Sequence, residues 1–285
     1  MTHYNISPSR RSTHLGPIVR PFSLAMLTFS AMIFLHCASV QAENKQESKQ
    51  ENTLTIGAGA AYGSRYSGSN QNRVGPALLL DYQMQNGLFA STMRGLGYGG
   101  QIGDLNYSAA LAYRDGRSDN DNGGFSGSGS KQLHGMGDIK GSALAMLSLD
   151  YTVTKWLSLS AVAELPLSQR ENGKAVHLGI TGILYQSEQD KLSLGGTASL
   201  GDTKYLQTYY GVTAKQSANS GFGVFKPKSG LYAMSTDISW RHQFDHRWAV
   251  TTAIGATHLT GDAGKSPIIR RKVAPTAAAY VSYSY

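Results

Sequence analysis

The amino-acid sequence predicts an all-β chain: a transmembrane, antiparallel, up-and-down β-barrel of about twelve strands, with ten or fourteen as the neighbouring counts. Three observations point there. Segments of about ten residues alternate apolar and polar side chains with a period of two. After Glu43 no apolar stretch approaches the roughly 18 residues of a membrane-spanning helix. The composition, finally, is that of sheet: 33 Gly and 16 Tyr stand against only 8 Pro, and aromatic rings suit strands while glycines suit turns and close sheet contacts. With 41% hydrophobic and 15% charged residues among its 285, the chain is neither disordered nor a helical membrane protein.

The first element is an export signal over residues 1–42. Arg10, Arg11 and Arg20 make a positive start with no acid in the segment, the apolar run Phe22–Ala38 follows, and Val40-Gln41-Ala42 offers small or slim residues to a signal peptidase. The run falls short of the about 20 residues a spanning helix needs, so an uncleaved anchor is the weaker alternative. Cys37 is not placed as a lipoprotein cysteine, because His36 stands where a small residue is required, and Arg10-Arg11 lacks the apolar residue a twin-arginine signal places after the pair. Cleavage after Ala42 removes three arginines, taking 26 basic residues to 23 against 18 acidic, a net of +5, and leaves no cysteine. A disulfide framework and a cysteine zinc site are thereby excluded. No basic cluster interleaved with aromatics suggests nucleic acid. Residues 43–53, which open with ENKQESKQEN, read as a disordered periplasmic tail and a potential tether.

The barrel itself is expected over 54–285, with strands near 54–62, 77–84, 87–94, 105–114, 142–153, 156–165, 175–186, 191–200, 205–214, 230–242, 247–258 and 273–285. In Leu157–Leu165, Leu157, Leu159, Ala161, Ala163 and Leu165 alternate with Ser158, Ser160, Val162 and Glu164. A soluble sandwich alternates too, but here the polar face is rich in Ser, Thr, Gly and Ala with scattered charges. The apolar face carries aromatics near the segment ends, as a lipid-facing wall requires. Tyr82, Tyr107, Tyr113, Tyr151, Tyr232, Trp240, Trp248 and Tyr283 are the expected interfacial girdle. Short turns at 84–87 and 243–246 suit the periplasmic side, and 63–76, 215–229 and 259–272 the outside. The stretch 115–141 then falls on the periplasmic side against the usual rule, unless it hides a crossing or 205–214 is not a full strand. The last strand, Ala277–Tyr285, ends on an aromatic.

The chemistry-bearing residues form no recognisable constellation. His134, His177, His242, His246 and His258 are the histidines after the signal. His242 and His246 flank Asp245, a carboxylate–imidazole arrangement fit for acid–base work, but no nucleophile with a motif lies near and an interfacial turn is the better explanation. His177 is expected in the lumen, and no His-x-Glu or His-x-x-x-His pair suggests a metal. Asp81, Asp150, Glu164, Asp237, Arg241 and Arg247 are expected on the polar face, where both signs together favour a restricted lumen over a wide pore. Gly123–Ser130 has neither the lysine of a phosphate loop nor the terminal glutamate of a calcium loop, so it reads as a flexible Gly/Ser loop. Arg270-Arg271-Lys272 reads as a solvated loop, with anionic lipopolysaccharide as the lesser alternative. No catalytic, cofactor-binding or metal residue is therefore assigned, and no cofactor is expected.

Several motifs in order resemble the MipA/OmpV family of Gram-negative outer-membrane proteins. They are Gly57-Ala58-Gly59-Ala60 with Tyr66-Ser67-Gly68; Arg94-Gly95-Leu96-Gly97-Tyr98; Tyr113-Arg114-Asp115-Gly116-Arg117; Leu133–Ile139; Tyr209-Tyr210-Gly211-Val212; Gln216–Gly221; and Leu259–Ile268. The chain departs from the pattern at Gly264 and Lys265, where the family usually has a small residue and an acid. The resemblance implies a non-enzymatic barrel in the outer membrane, in contact with its lipid and lipopolysaccharide. It implies a scaffold joining a lytic murein transglycosylase to a penicillin-binding murein synthase, and a C-terminal strand read by the barrel-assembly machinery. A small-solute or ion channel and a surface adhesin acting through outer loops are the alternatives.

Overall fold

The structure is a computed structural model that describes residues 52–121 and 128–285. The expected export signal, residues 43–51 of the expected tail and residues 123–127 of the Gly/Ser loop lie outside the described residues. The chain forms β1 (Thr53–Ser64), β2 (Asn72–Gln83), β3 (Leu88–Ser91), β4 (Gly95–Ile102) and β5 (Leu105–Arg114). Two short strands, β6 (Arg117–Ser118) and β7 (Ser128–Gly129), follow, and then β8 (Ser142–Thr154), β9 (Leu157–Pro166), β10 (Ala175–Gln186) and β11 (Asp190–Gly201). Helices α1 (Thr203–Tyr210) and α2 (Ala214–Ser220) precede β12 (Gly230–Gln243), β13 (Trp248–Leu259) and β14 (Val273–Ser284).

Twelve of these strands close a barrel in the order β1-β14-β13-β12-β11-β10-β9-β8-β5-β4-β3-β2, all neighbours antiparallel. Closure satisfies the backbone groups that an open edge would leave facing hydrocarbon. The alternation seen in the sequence becomes an outer face of Leu147, Leu149, Leu178, Ile180, Leu194 and Ile254, exposed to lipid. The inner face carries small and polar residues such as Ser193, Ser199, Thr181 and Thr251. The three tryptophans, Trp156, Trp240 and Trp248, are exposed at the short-turn end. There Trp248 meets Tyr283 edge-on at 4.9 Å, and Tyr283 meets Tyr285 at 4.6 Å, forming an interfacial aromatic belt.

The structure corrects the expected strand list at two places that cancel in the count. The segment 205–214 is not a strand: Thr203–Tyr210 is helical, capped by the Asp202 carboxylate accepting from Tyr205 N–H at 2.7 Å. In its place β4 appears at Gly95–Ile102, absent from the expected list, and the expected strand 87–94 ends early, at Ser91 of β3. The chain reverses at Thr92–Arg94, where Ser91 Oγ accepts from Met93 N–H and Gly95 takes φ +87°, a conformation open to glycine. Gly97 then lies so close to the Phe89 ring that a Cβ would sit 2.7 Å from it. With one crossing added before 115–141 and one removed after it, that long stretch joins the other long links at one end. Connections 65–71, 115–141, 167–174, 202–229 and 260–272 share the long-loop, outer end, and the short turns lie at the periplasmic end.

Two expected side-chain directions also change. Tyr232 is an extra residue in the β11–β12 pairing, since Ser199 opposes Ala233 but Leu200 opposes Leu231, and the bulge turns its ring inward instead of toward the girdle. Arg247 lies in the turn, not in the lumen, and donates from Nη1 to Tyr283 Oη at 2.9 Å.

The direction of the wall is open to test with paired lysines on β8. Leu147→Lys places a charge in lipid and should destabilise the folded barrel by about 2–4 kcal/mol, whereas Ser148→Lys, facing the lumen, should cost well under half of that. Urea titrations in lipid vesicles, read by heat-modifiable gel mobility, would measure both.

Candidate functional site: the capped mouth of the barrel

The long links do not stand apart from one another. Helix α1 has its apolar and aromatic residues at Tyr205, Leu206, Tyr209 and Tyr210, a spacing that builds one helical face. That face is buried with Tyr232, Ala233 and Leu259 from the β12–β13 wall and Ala263 from the last link. On the other side, the Arg114 guanidinium lies 5.0 Å from the Tyr205 ring and 5.8 Å from the Tyr209 ring. Arg114 ends β5 and Leu259 ends β13, six positions apart in a ring of twelve. Helix α1 therefore lies over the mouth, and its side chains meet groups from opposite sides of the ring.

Every long link contributes to this cap. Ser67 Oγ and Tyr210 Oη are 2.9 Å apart. Arg117 donates to the Tyr209 carbonyl at 2.8 Å, Thr208 Oγ1 donates to the Glu171 carbonyl at 2.8 Å, and Ser266 Oγ donates to the Tyr210 carbonyl. Tyr205 and Tyr232 hydroxyls meet at 3.1 Å. A second apolar cluster above it joins Tyr66, Leu133, Met136, Val212 and Ile268 from four different links. Helix α2 is set by a capping box in which Thr213 and Gln216 satisfy each other's backbone N–H groups, and it ends at Gly221.

Beneath the cap, Arg114 donates to Glu164 Oε2 from Nη2 at 2.6 Å and from Nε at 3.0 Å, and from Nη1 to the Gly173 carbonyl at 3.2 Å. Glu164 Oε1 lies 3.5 Å from His177 Nε2, and His177 Nδ1 lies 2.9 Å from Ser199 Oγ. Serine, imidazole and carboxylate thus stand in line. The carboxylate that would polarise the imidazole is shared with the guanidinium, and Ser199 is buried, so the chain acts as a tie between β5, β9, β10 and β11.

The other expected lumen charges are dispersed. Asp81 pairs with Arg94 at 2.8 Å, near the periplasmic end of β2. Arg241 donates to Gln243 at 2.9 Å, and Asp237 sits between Gly195 and Gly255 of its two neighbouring strands. Asp150 lies on the inner face of β8. The suspected Asp245–histidine arrangement is not formed. His242 Nδ1 instead meets Asp190 Oδ1 at 2.8 Å, and Asp245 accepts from the Arg247 and Trp248 N–H groups to close its turn, which holds its carboxyl below the usual range. Among the described residues no group of three or more His, Cys, Asp or Glu is placed to hold a metal. The residues that sequence reasoning missed are those of α1. Their signal was present in Asp202 as a cap, the i, i+1, i+4, i+5 spacing of Tyr205, Leu206, Tyr209 and Tyr210, and the closing Gly211.

Against known proteins, the sequence profile described as MltA-interacting protein MipA matches residues 56–285. The chain belongs to the MipA family. No curated protein is a sequence match. Solved structures with a similar course are a KdgM porin (10% identity, 81% of this chain and 99% of that one, TM-score 0.43) and a NanC porin (11%, 81% and 98%, 0.44). An outer-membrane channel from Pseudomonas putida F1 is also similar (12%, 85% and 100%, 0.42). This MipA-family barrel is an outer-membrane protein of the Gram-negative type.

Arg114→Ala leaves Glu164 buried without its partner and should destabilise the protein by about 3–5 kcal/mol, with early proteolysis inside 202–229. The double change Arg114→Met with Glu164→Gln should recover most of that loss, read from urea midpoints and protease mapping. The cap should also open in alkali. Burial raises the phenols of Tyr205, Tyr209 and Tyr210 above the usual tyrosine value, Tyr210 to about 12. Their contribution is complete below the unfolded value near 10 and is lost as pH rises through the folded values. Amide exchange over 203–210 should therefore accelerate between pH 10 and 12 beyond the intrinsic base-catalysed rate, and less so in Tyr210→Phe.

Proposed function

We propose that this MipA-family barrel is a non-enzymatic interaction platform of the outer membrane, holding murein-remodelling enzymes against its periplasmic rim. The observation that carries the reading is the position of α1. A diffusion pore needs an unobstructed path along its axis, and here a helix is laid across the mouth and tied to every long link. A platform needs a rigid wall and a fixed rim, which the closed ladder and the belt of Trp156, Trp240, Trp248 and Tyr283 supply. The family is named for interaction with MltA. The partners proposed for this chain are a lytic murein transglycosylase and a penicillin-binding murein synthase, met by the turns at 84–87, 187–189 and 244–247 and by the tail 43–53. The signal at 1–42 would direct export, the barrel-assembly machinery would read β14, and lipid with lipopolysaccharide would surround the wall.

A channel is the second reading, favoured by the polar inner surface of β10 to β13, where Ser193, Ser199, Thr181 and Thr251 face inward. An adhesin would use the outside of the cap, where a 590 Å³ cavity is lined by Lys131, His134, Phe222 and Arg270.

The deciding experiment is capture of envelope proteins on the refolded mature chain, identified by mass spectrometry. Enrichment of a transglycosylase or a murein synthase, lost on exchange of the 244–247 turn, is the expected result. Recovery of lipopolysaccharide and bulk porins alone, together with steady conductance in a planar bilayer, would replace the platform by the channel.

A further inference from the structure

The barrel is closed along only part of its height at one seam. β1 pairs with β2 along the whole of β2, from Asn72 to Gln83, but on its other side β2 pairs with β3 only at Asp81, Tyr82 and Gln83. β4 reaches β5 only as far as Leu111, because β3 and β4 are four and eight residues long and reverse at Thr92–Arg94. A transmembrane strand needs about 9–11 residues. Among the described residues, no strand pairs with Val74–Leu79 on the side facing β5. The wall therefore has a notch in its outer half, bounded by β2, the β3–β4 turn and the end of β5.

The chemistry of the notch excludes a partner strand and favours an apolar chain. The β2 groups that point into it belong to the even-numbered residues, as the Thr92 N–H donating to the Leu80 carbonyl at 2.8 Å shows. Pro76 is one of them and has no N–H to offer, a device that blunts sheet edges. Thr92 Oγ1 already donates to the Leu78 carbonyl at 3.2 Å and accepts from Leu80 N–H at 3.1 Å. The ladder an added strand would need is thus interrupted. The rim is apolar instead: Val74 is 70% exposed, and Leu78 and Leu111 are each 61% exposed. Beside it, on the lipid face, lies a 250 Å³ depression floored by Ala109 and Ala145 between Leu96, Leu111 and Leu147.

Behind the notch the lumen changes character. Phe89, Ala110, Met146 and Val162 face inward from β3, β5, β8 and β9 and form a buried apolar cluster, with Ala112 packed against it. On β10 to β13 the inner wall carries Thr181, Ser193, Ser199 and Thr251, with small alanines such as Ala249 and Ala253 among them. The Arg94 guanidinium, paired with Asp81, lies 4.2 Å over the Phe89 ring at the edge of this cluster, and the cluster adjoins the side on which the wall is incomplete.

We propose that this notch is a lateral port through which the acyl chain of a single-chain amphiphile, such as a fatty acid, passes from the membrane onto the Phe89–Met146–Val162 patch. The small depression outside suits one chain, not a multi-chain lipid. With α1 across the mouth, the route to the lumen is sideways. The port is independent of the platform reading and stands or falls separately.

The test is photolabelling of the folded, full mature chain in vesicles with a diazirine-bearing fatty acid, with adducts mapped by mass spectrometry. Inward-facing Phe89, Met146 and Val162 should carry adducts. Those adducts should fall to background in Ala77→Trp or Ala112→Trp, which place a large ring behind the opening, while adducts on outward-facing Leu78 and Leu96 persist. A heat-shifted gel band identifies which variant is folded. A diazirine-bearing phospholipid should label the outer positions alone. Adducts confined to the outer face with the fatty acid would overturn the port, as would inward adducts that a folded rim variant leaves unchanged. Inward labelling by the phospholipid would overturn its restriction to single chains.

Discussion

Backbone hydrogen bonding in a medium without water is the constraint on which the rest of this structure depends. Each N–H and C=O placed in hydrocarbon must find a partner within the protein, at a cost of several kcal/mol for each failure. Twelve antiparallel strands in a closed ring meet that demand almost everywhere. The period-two alternation, the small inward residues and the aromatic belt at the short-turn end then follow, because closure fixes which side of every strand meets lipid. The same demand makes the seam between β2 and β5 informative. Pro76 and Thr92 remove or occupy several of the groups that the missing neighbour would have used, so the wall is adapted to its own gap.

The outer end is governed by different physics. There water is available, and what holds the links is packing around α1 together with the guanidiniums of Arg114 and Arg117. Arg114 satisfies a carboxylate from β9 and a carbonyl before β10, and presents its flat face to two tyrosines of α1. Planarity and delocalisation let arginine do these things at once, where lysine would do one. The cap is therefore a cooperative unit: displacing α1 would uncover Tyr232 and Leu259 and release contacts to the four other long links together.

A fixed cap above, an aromatic rim below and an incomplete wall at one side divide the molecule's surfaces by chemistry. The periplasmic rim offers short turns with carboxylates already engaged, as Asp190 and Asp245 are, which gives a partner a defined shape to read. The outer surface offers a rigid mosaic of links. The lumen, overlain by α1 at its outer mouth, carries polar residues on β10 to β13 and an apolar cluster on β3, β5, β8 and β9.

Much of this was legible in the residues themselves. The barrel, the strand count and most strand positions follow from alternation, since a lipid-facing strand such as Leu157–Pro166 must write its two faces into its sequence. Glu164 and His177 were placed correctly inward for the same reason. Tyr232 was not, because a bulge shifts the phase by one residue and depends on how β11 and β12 pair, which no single segment encodes. The helix at 203–210 and the reversal at Thr92–Arg94 carried local signals in Asp202, Gly95 and the aromatic spacing, but short elements are ambiguous until their neighbours are known. Only the tertiary structure could bring Arg114 to Glu164, fold five separate links into one cap and leave β2 without a second neighbour above Asp81. Sequence alone determined which side of most strands meets lipid, because away from bulges that is a property of one strand in one solvent. Register, closure and the gap were decided by the assembled ring, because hydrogen-bond pairing between strands is a property of two.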